Sequence, residues 1–130
     1  MKLEVPMVPP SGDELRRKYR TVFAYRDLRM AWEKALLICC GSAITRKYLQ
    51  CQALEAHCAY EKLKVAVTIY RAKILDDDNC VAGLKPCLDS LEENGFIYSD
   101  EPKDIELPRP QQIIEPKRRL RRTVIEITPT

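Results

Sequence analysis

The run KLKVAVTIYRAKI, from Lys62 to Ile74, constrains this chain most. Leu63, Val65, Val67 and Ile69 fall on one face, and Lys62, Lys64, Ala66, Thr68 and Tyr70 on the other. Alternation with period two and β-branched residues specifies a half-buried strand. Such a strand needs neighbours in a sheet and a layer to cover its apolar face. The run leads straight into Asp76, Asp77 and Asp78, followed by Asn79. Adjacent carboxylates repel one another unless something positive stands between them. A bound metal, a lysine and solvent are the three candidates.

The material to cover the strand lies on both sides of it. Upstream, KLEV reads as a short strand that breaks at Pro9-Pro10-Ser11-Gly12. The segment from Asp13 to Ala43 is helical in composition, with Tyr25, Leu28, Trp32, Ala35, Leu36 and Cys39 on one face and Gly41 at its end. Its first part, Asp13 to Thr21, reads alternatively as an irregular basic arm. AITRKYLQCQALEAHCA continues or restarts the helix. Downstream, Val81, Leu84, Leu88 and Leu91 step by three and four before Asn94-Gly95, which predicts another helix. Because Pro86 lies inside it, that helix begins near Gly83-Leu84, or begins at Asn79 and kinks. FIYSDEP reads as a short strand or turn, and KDIEL, QQIIE and RTVIEIT as short β pieces set off by prolines. The order predicts one α+β domain over residues 1–130, a small mixed β-sheet packed with two to three helices.

Composition limits the chemistry. The chain has 130 residues, 45% hydrophobic and 32% charged, enough for one core. Six cysteines form no CxxC pair and there is a single histidine, so a zinc site is not expected. No apolar run suggests a leader or a membrane span, and the thiols read as buried, reduced groups of a cytoplasmic protein. Four glycines make no phosphate-cradling loop. No serine has the setting of a hydrolase nucleophile. His57 reads as a structural or surface residue, and Trp32 as core.

What remains is the acids. On a strand end, Asp76 and Asp78, two apart, point to the same side. Asp100 ends another short run after a helix able to return the chain beside the strand. Three converging carboxylates without Cys or His select Mg²⁺, or Mn²⁺, and a metal of this kind suits phosphodiester hydrolysis. Lys85 lies between the acidic clusters, placed to steady a phosphate, with Asp89 one helical turn beyond it. The same acids read equally as a solvated turn, and Lys85 as a surface lysine. A calcium hand loop fits poorly, because the acids are contiguous and no glycine follows at the required position.

The stretch DDDN…LKPCLDSLEENGFIYSDEP resembles the RusA family of Holliday-junction resolvases, common in phages and prophages. Asp76, Asp78 and Asn79 match the family's D-x-D-N; Lys85, Asp89 and Leu91 match its K and D-x-L; Gly95 and Asp100 match its closing G and Asp. VPPS, Val8 to Ser11, is similar to the PPS that follows the family's first strand, and RTVIEI to its final strand. The gap from Asn79 to Lys85 is longer than in the shortest family members, around Val81-Ala82-Gly83, and Ser99-Asp100-Glu101 stands where the family often has Asp-Asp. The resemblance implies a RusA-like fold and an endonuclease that resolves four-way and related branched DNA in recombination and repair. It implies Asp76, Asp78 and Asp100 as metal-binding catalytic acids and Lys85 as a catalytic basic residue, with Asp77 second to Asp76. Two symmetric cuts in a junction make a twofold homodimer the natural assembly.

Net charge is only +3, but the bases gather in Arg16, Arg17, Lys18 and Arg20 and in Lys117, Arg118, Arg119, Arg121 and Arg122. Both clusters are of phosphate-binding type, which a nuclease with an acidic centre needs; the alternative is a solvated charged face. Tyr19, Phe23 and Tyr25 beside the first cluster stack on bases or serve as core and helix-face residues. Two other functions stay open: a catalytically weak or inactive DNA-binding scaffold of the same fold, and an unrelated α+β protein whose acids form a surface turn.

Overall fold

The structure, a computed structural model, describes every residue from Met1 to Thr130. Five strands, β1 (Lys2–Val5), β2 (Leu63–Arg71), β3 (Ile105–Glu106), β4 (Gln111–Ile114) and β5 (Arg122–Pro129), form one mixed sheet. Its order is β1-β5-β2, after which β2 pairs on its other side with β3 and, further along, β4. β5 runs antiparallel to both β1 and β2, while β3 and β4 run parallel to β2. Five helices complete the fold: α1 (Gly12–Lys18), α2 (Val22–Cys40), α3 (Ala43–Cys58), α4 (Asp77–Ala82) and α5 (Lys85–Glu93). The fold is α+β with a small mixed sheet, and no helix is long and apolar enough to cross a membrane.

β2 keeps the predicted alternation, with Leu63, Val65, Val67 and Ile69 buried. These join Leu3, Val5, Ile125 and Ile127 from the flanking strands in one core with Trp32 and Leu36 of α2, Leu49 of α3 and Leu88 and Leu91 of α5. α2 packs on α5 and β1, so its stripe of apolar residues covers the sheet. Ser11, Thr21 and Ser42 each cap a helix by accepting a backbone N–H, the capping chemistry of short oxygen side chains. The capped α1 settles the segment Asp13 to Thr21: it is a helix broken from α2, not an irregular arm.

Two open readings are decided and one expectation changes. The predicted helix after Asn79 is two helices, since α4 ends at Gly83 and α5 starts with Pro86 in its first turn. A Cβ on Gly83 would lie 1.7 Å from the Pro10 carbonyl oxygen, so the α4–α5 junction packs directly on the Pro-Pro-Ser loop and only glycine fits. FIYSDEP forms turns, the second of its two readings. The thiols are all free, but only Cys40, Cys80 and Cys87 are buried; Cys51 and Cys58 are exposed on α3.

Candidate active site

The strand β2 ends at Arg71, five residues before the first of the three acids. Asp76 holds the N-cap position of α4, and Asp77 and Asp78 lie in its first turn. The carboxylates therefore sit at a helix start, where partial positive charge from unpaired N–H groups offsets part of their repulsion. Strand alternation no longer applies, and residues two apart at a helix start point to different sides. Each acid has its own surroundings. Asp76 accepts a hydrogen bond from the Asn79 amide at 2.7 Å instead of bonding the helix N–H groups. Asp77 pairs with Arg109 at 2.9 Å. Asp78 is exposed and its side chain has no hydrogen bond or ion pair within the chain.

The loop under these acids is tied down by residues that sequence reasoning missed. The Gln112 side-chain oxygen accepts from the Leu75 N–H at 3.0 Å, and its amide donates to the Leu75 carbonyl at 2.8 Å. Arg71, buried at 5% exposure, donates to that same Gln112 oxygen and to the Pro9 carbonyl, at 3.1 and 2.6 Å. Burial depresses the Arg71 guanidinium's pKa. β4, the Pro-Pro-Ser loop and the end of β2 thus fix the backbone that delivers Asp76. An open cavity of about 790 Å³ lies alongside, lined by Ile74, Asp76, Asp77, Arg109, Gln111 and Ile113 among others. Arg71 is the last residue of a strand of alternating residues and gives no sequence signal of its own; Gln112 is an unremarkable amide in a short strand.

Asp100 belongs to a second group. Lys85, at the first position of α5, donates to Asp100 at 2.6 Å and lies 3.0 Å from Asp89. The Asp100 hydrogen bond, with further help from Asp89, raises the lysine's pKa above 10.5, against a smaller opposing effect of burial. The Lys85–Asp89 pair expected one turn apart on a helix is present. Tyr25 donates to the other Asp89 oxygen at 2.5 Å, which neither of its proposed roles anticipated. Burial and then that carboxylate drive the phenol's pKa far upward. Glu92 is pushed up by burial first and by Asp100 and Asp89 next.

The segment carrying Asp100 has its own anchor. Buried Asp104 accepts from Ser99 at 2.6 Å and lies 2.7 Å from His57 Nδ1. The His57 ring stacks on Tyr98 with centroids 3.4 Å apart. Burial pushes the Asp104 carboxyl up, but the bonds from His57 and Ser99 and the charge of His57 together outweigh it and hold it below 3.8. His57 is thus structural, as expected, with a partner no local pattern reveals.

Asp76, Asp78 and Asp100 offer hard oxygen donors of the type that suits Mg²⁺. Their placement is less complete than their chemistry. No three His, Cys, Asp or Glu side chains stand close enough to share one ion. Asp76 and Asp78 are exposed at one helix start, while Asp100 is engaged by Lys85.

The bases divide as well. Arg16 pairs with Asp13 and Lys18 lies 3.8 Å from Glu14, whereas Arg17 and Arg20 are exposed. Lys117, Arg118 and Arg119 are exposed around a 3-10 turn. Arg121 is spent on the carbonyls of Glu115 and Pro116, and Arg122 stacks over Tyr70 at 3.9 Å. Phe23 is 76% exposed and Tyr19 half-buried. No protein-family model matches the chain, and no curated protein matches it.

Proposed function

We propose that this chain is a RusA-type, Mg²⁺-dependent endonuclease that cuts four-way and related branched DNA, working as a twofold homodimer. The observation that carries the reading is the Lys85 ammonium held between Asp89 and Asp100. Lys85 and Asp100, two of the residues that the resemblance assigns to one site, lie against one another, with Asp89 on the same ammonium. The order of parts agrees: β1, the Pro-Pro-Ser loop against Gly83, the acids at the start of α4, and a last strand paired with the first. Asp76, Asp78 and Asp100 would hold the metal, and a bound Mg²⁺ would supply water activation and neutralise charge on the phosphate. Lys85 places a fixed cation beside Asp100, suited to a phosphate oxygen. Arg17, Arg20, Lys117, Arg118 and Arg119 keep free charge for the DNA backbone, and Arg109 stands at the cavity beside Asp77.

A second reading, junction binding without cleavage by a scaffold of the same fold, has one observation in its favour: Lys85 neutralises Asp100, and no three ligands share a position. Incubating the chain and Mg²⁺ with a labelled synthetic four-way junction and with a linear duplex of the same sequence separates the two. Symmetric, Mg²⁺-dependent cuts in the junction alone support the nuclease. Tight junction binding with no cut under Mg²⁺ or Mn²⁺ supports the scaffold, and no preference for the junction contradicts both.

A further inference from the structure

The turn between α1 and α2 and the first turns of α2 border a cavity of about 450 Å³. Its wall carries three arginines, Arg20, Arg26 and Arg29, two tyrosines, Tyr19 and Tyr25, and no acid. Arg26 and Arg29 are three apart on α2, and Arg29 is four after Tyr25, so the helix sets them on adjoining turns of one side. Three guanidinium groups around one space repel one another, and little within the chain offsets them. The one ion pair that any of them makes is Arg29 with Glu93, at 3.9 Å, which is beyond hydrogen-bond reach. The Arg29 Nε is buried and has no hydrogen-bond partner. A shielded donor left unpaired is costly, and such a group in a folded protein calls for a specific explanation. Beside the cavity, Phe23 is exposed. It precedes Arg26 by three, so a free aromatic ring stands one turn from the cationic wall.

We propose that this cavity binds a phosphate of an unpaired nucleic-acid strand, with an adjoining base laid on Phe23. The chemistry of the wall selects the ligand. Guanidinium groups present paired N–H donors that match phosphate oxygens, and they stay charged. An anion among them removes their mutual repulsion. A phosphopeptide would use the arginines and leave the aromatic ring idle, whereas a nucleotide uses both. In a duplex the faces of the bases are hidden in the stack, so a single strand fits better. The volume lies in the range of sites for small ligands, enough for one nucleotide. Arg26 and Arg29 stand outside both basic clusters of the sequence, so this site adds cations that neither cluster contains. Tyr25 joins the cavity to the Lys85 set, because its ring is in the wall while its hydroxyl donates to Asp89. A strand seated here is one side chain away from Asp89. That it is the unpaired strand of a branched substrate rests on the nuclease reading; the phosphate site itself does not.

Fluorescence anisotropy of a labelled oligothymidylate, titrated with the full chain in about 0.1 M salt and EDTA, tests this. The wild type is expected to bind the strand and to ignore the same strand built with uncharged methylphosphonate links. Arg26→Ala is expected to weaken binding about tenfold, the scale of one hydrogen-bonded charge. Arg29→Lys keeps the charge but removes the Nε donor and is expected to weaken it by a similar factor. Phe23→Ala is expected to cost about fivefold, the loss of one stacked base. All three should keep the wild-type far-ultraviolet circular dichroism. Lys47→Ala removes the same charge from the exposed side of α3 and is expected to change affinity by about twofold at most, as a screened distant charge does. Inorganic phosphate is expected to displace the strand only in large excess. Displacement by phosphate equimolar with the strand would make this a free-phosphate site. Equal losses for Lys47→Ala and Arg26→Ala would make it a diffuse charged face. Either result overturns the proposal, as does a wild type that leaves the strand unbound or binds the methylphosphonate strand equally well. Without divalent metal no cleavage enters the measurement. A chain that binds the strand but cuts no junction under Mg²⁺ keeps this site and loses the nuclease reading, and the reverse outcome loses this site alone.

Discussion

The start of α4 and the pocket around Lys85 both concentrate acids, and they handle the charge differently. At α4, three consecutive carboxylates are exposed and have short-range partners: a helix start, the Asn79 amide three residues on, and Arg109. Around Lys85, two carboxylates eleven residues apart in sequence share one ammonium, and a phenol from α2 closes the second oxygen of Asp89. The first region has its charge offset mainly by local structure and solvent, so its acids are free to take another partner. The second is a balanced set, with an exposed lysine between two half-buried carboxylates, in which removing the lysine leaves the carboxylates facing one another.

The contrast sets the size of each expected response. Asp78→Asn should cost at least about a hundredfold in Mg²⁺-dependent junction cleavage while leaving the melting temperature unchanged, since the carboxylate bonds nothing in the chain; cleavage rate and calorimetry on one preparation check this. Asp104→Asn attacks the anchor of the Asp100 segment and should destabilise by about 2 kcal/mol in urea unfolding, the scale of a buried charge-assisted bond. Because the Asp104 carboxyl is held below 3.8, its contribution is fully present above that pH and is lost as the pH falls through the lower folded value. The wild type should therefore lose stability below pH 3.8 more steeply than the Asn variant.

Lys85→Met leaves Asp89 and Asp100 facing one another without their cation. The exposed setting limits the loss of stability to less than about 1 kcal/mol, measurable at neutral pH. The lysine's raised pKa keeps its contribution intact below 10.5 and surrenders it as the pH climbs through the higher folded value. The smallest effect is at the basic end. Arg118→Ala or Arg119→Ala should lower the salt dependence of junction binding by roughly one ion each, while Arg121→Ala, whose guanidinium serves Glu115 and Pro116, should leave the slope unchanged. Equal slopes for all three would erase the division between free and engaged bases.

The sequence made the local features legible. Alternation announced β2, the apolar stripe announced α2, and the steps of three and four announced α5, since each is a periodicity within one element. Asp89's pairing with Lys85 was readable for the same reason, being one helical turn. The position of Asp76 and Asp78 was misread because the strand stops at Arg71 and α4 begins, a boundary that the acids themselves create by favouring a helix start. The Gln112 clamp, the Tyr25–Asp89 bond and the His57–Asp104–Ser99 set join residues that only the packed sheet and helices bring together, so no spacing along the chain encodes them. Gly83 lies between: its need for no side chain comes from the Pro10 carbonyl, a contact from the far end of the chain.

The proposal for the acids requires that Asp78, free at α4, and Asp100, held by Lys85, come to serve one ion. Mn²⁺ titration of the full chain, followed by the loss of the free-ion paramagnetic resonance signal, measures this without DNA or turnover. Asp78→Asn and Asp100→Asn are each expected to weaken binding at least about tenfold, with the double variant little worse than either, as one shared site requires. Mn²⁺ affinity that falls with Asp78→Asn and is untouched by Asp100→Asn would contradict a common site and leave Asp100 as no more than the partner of Lys85.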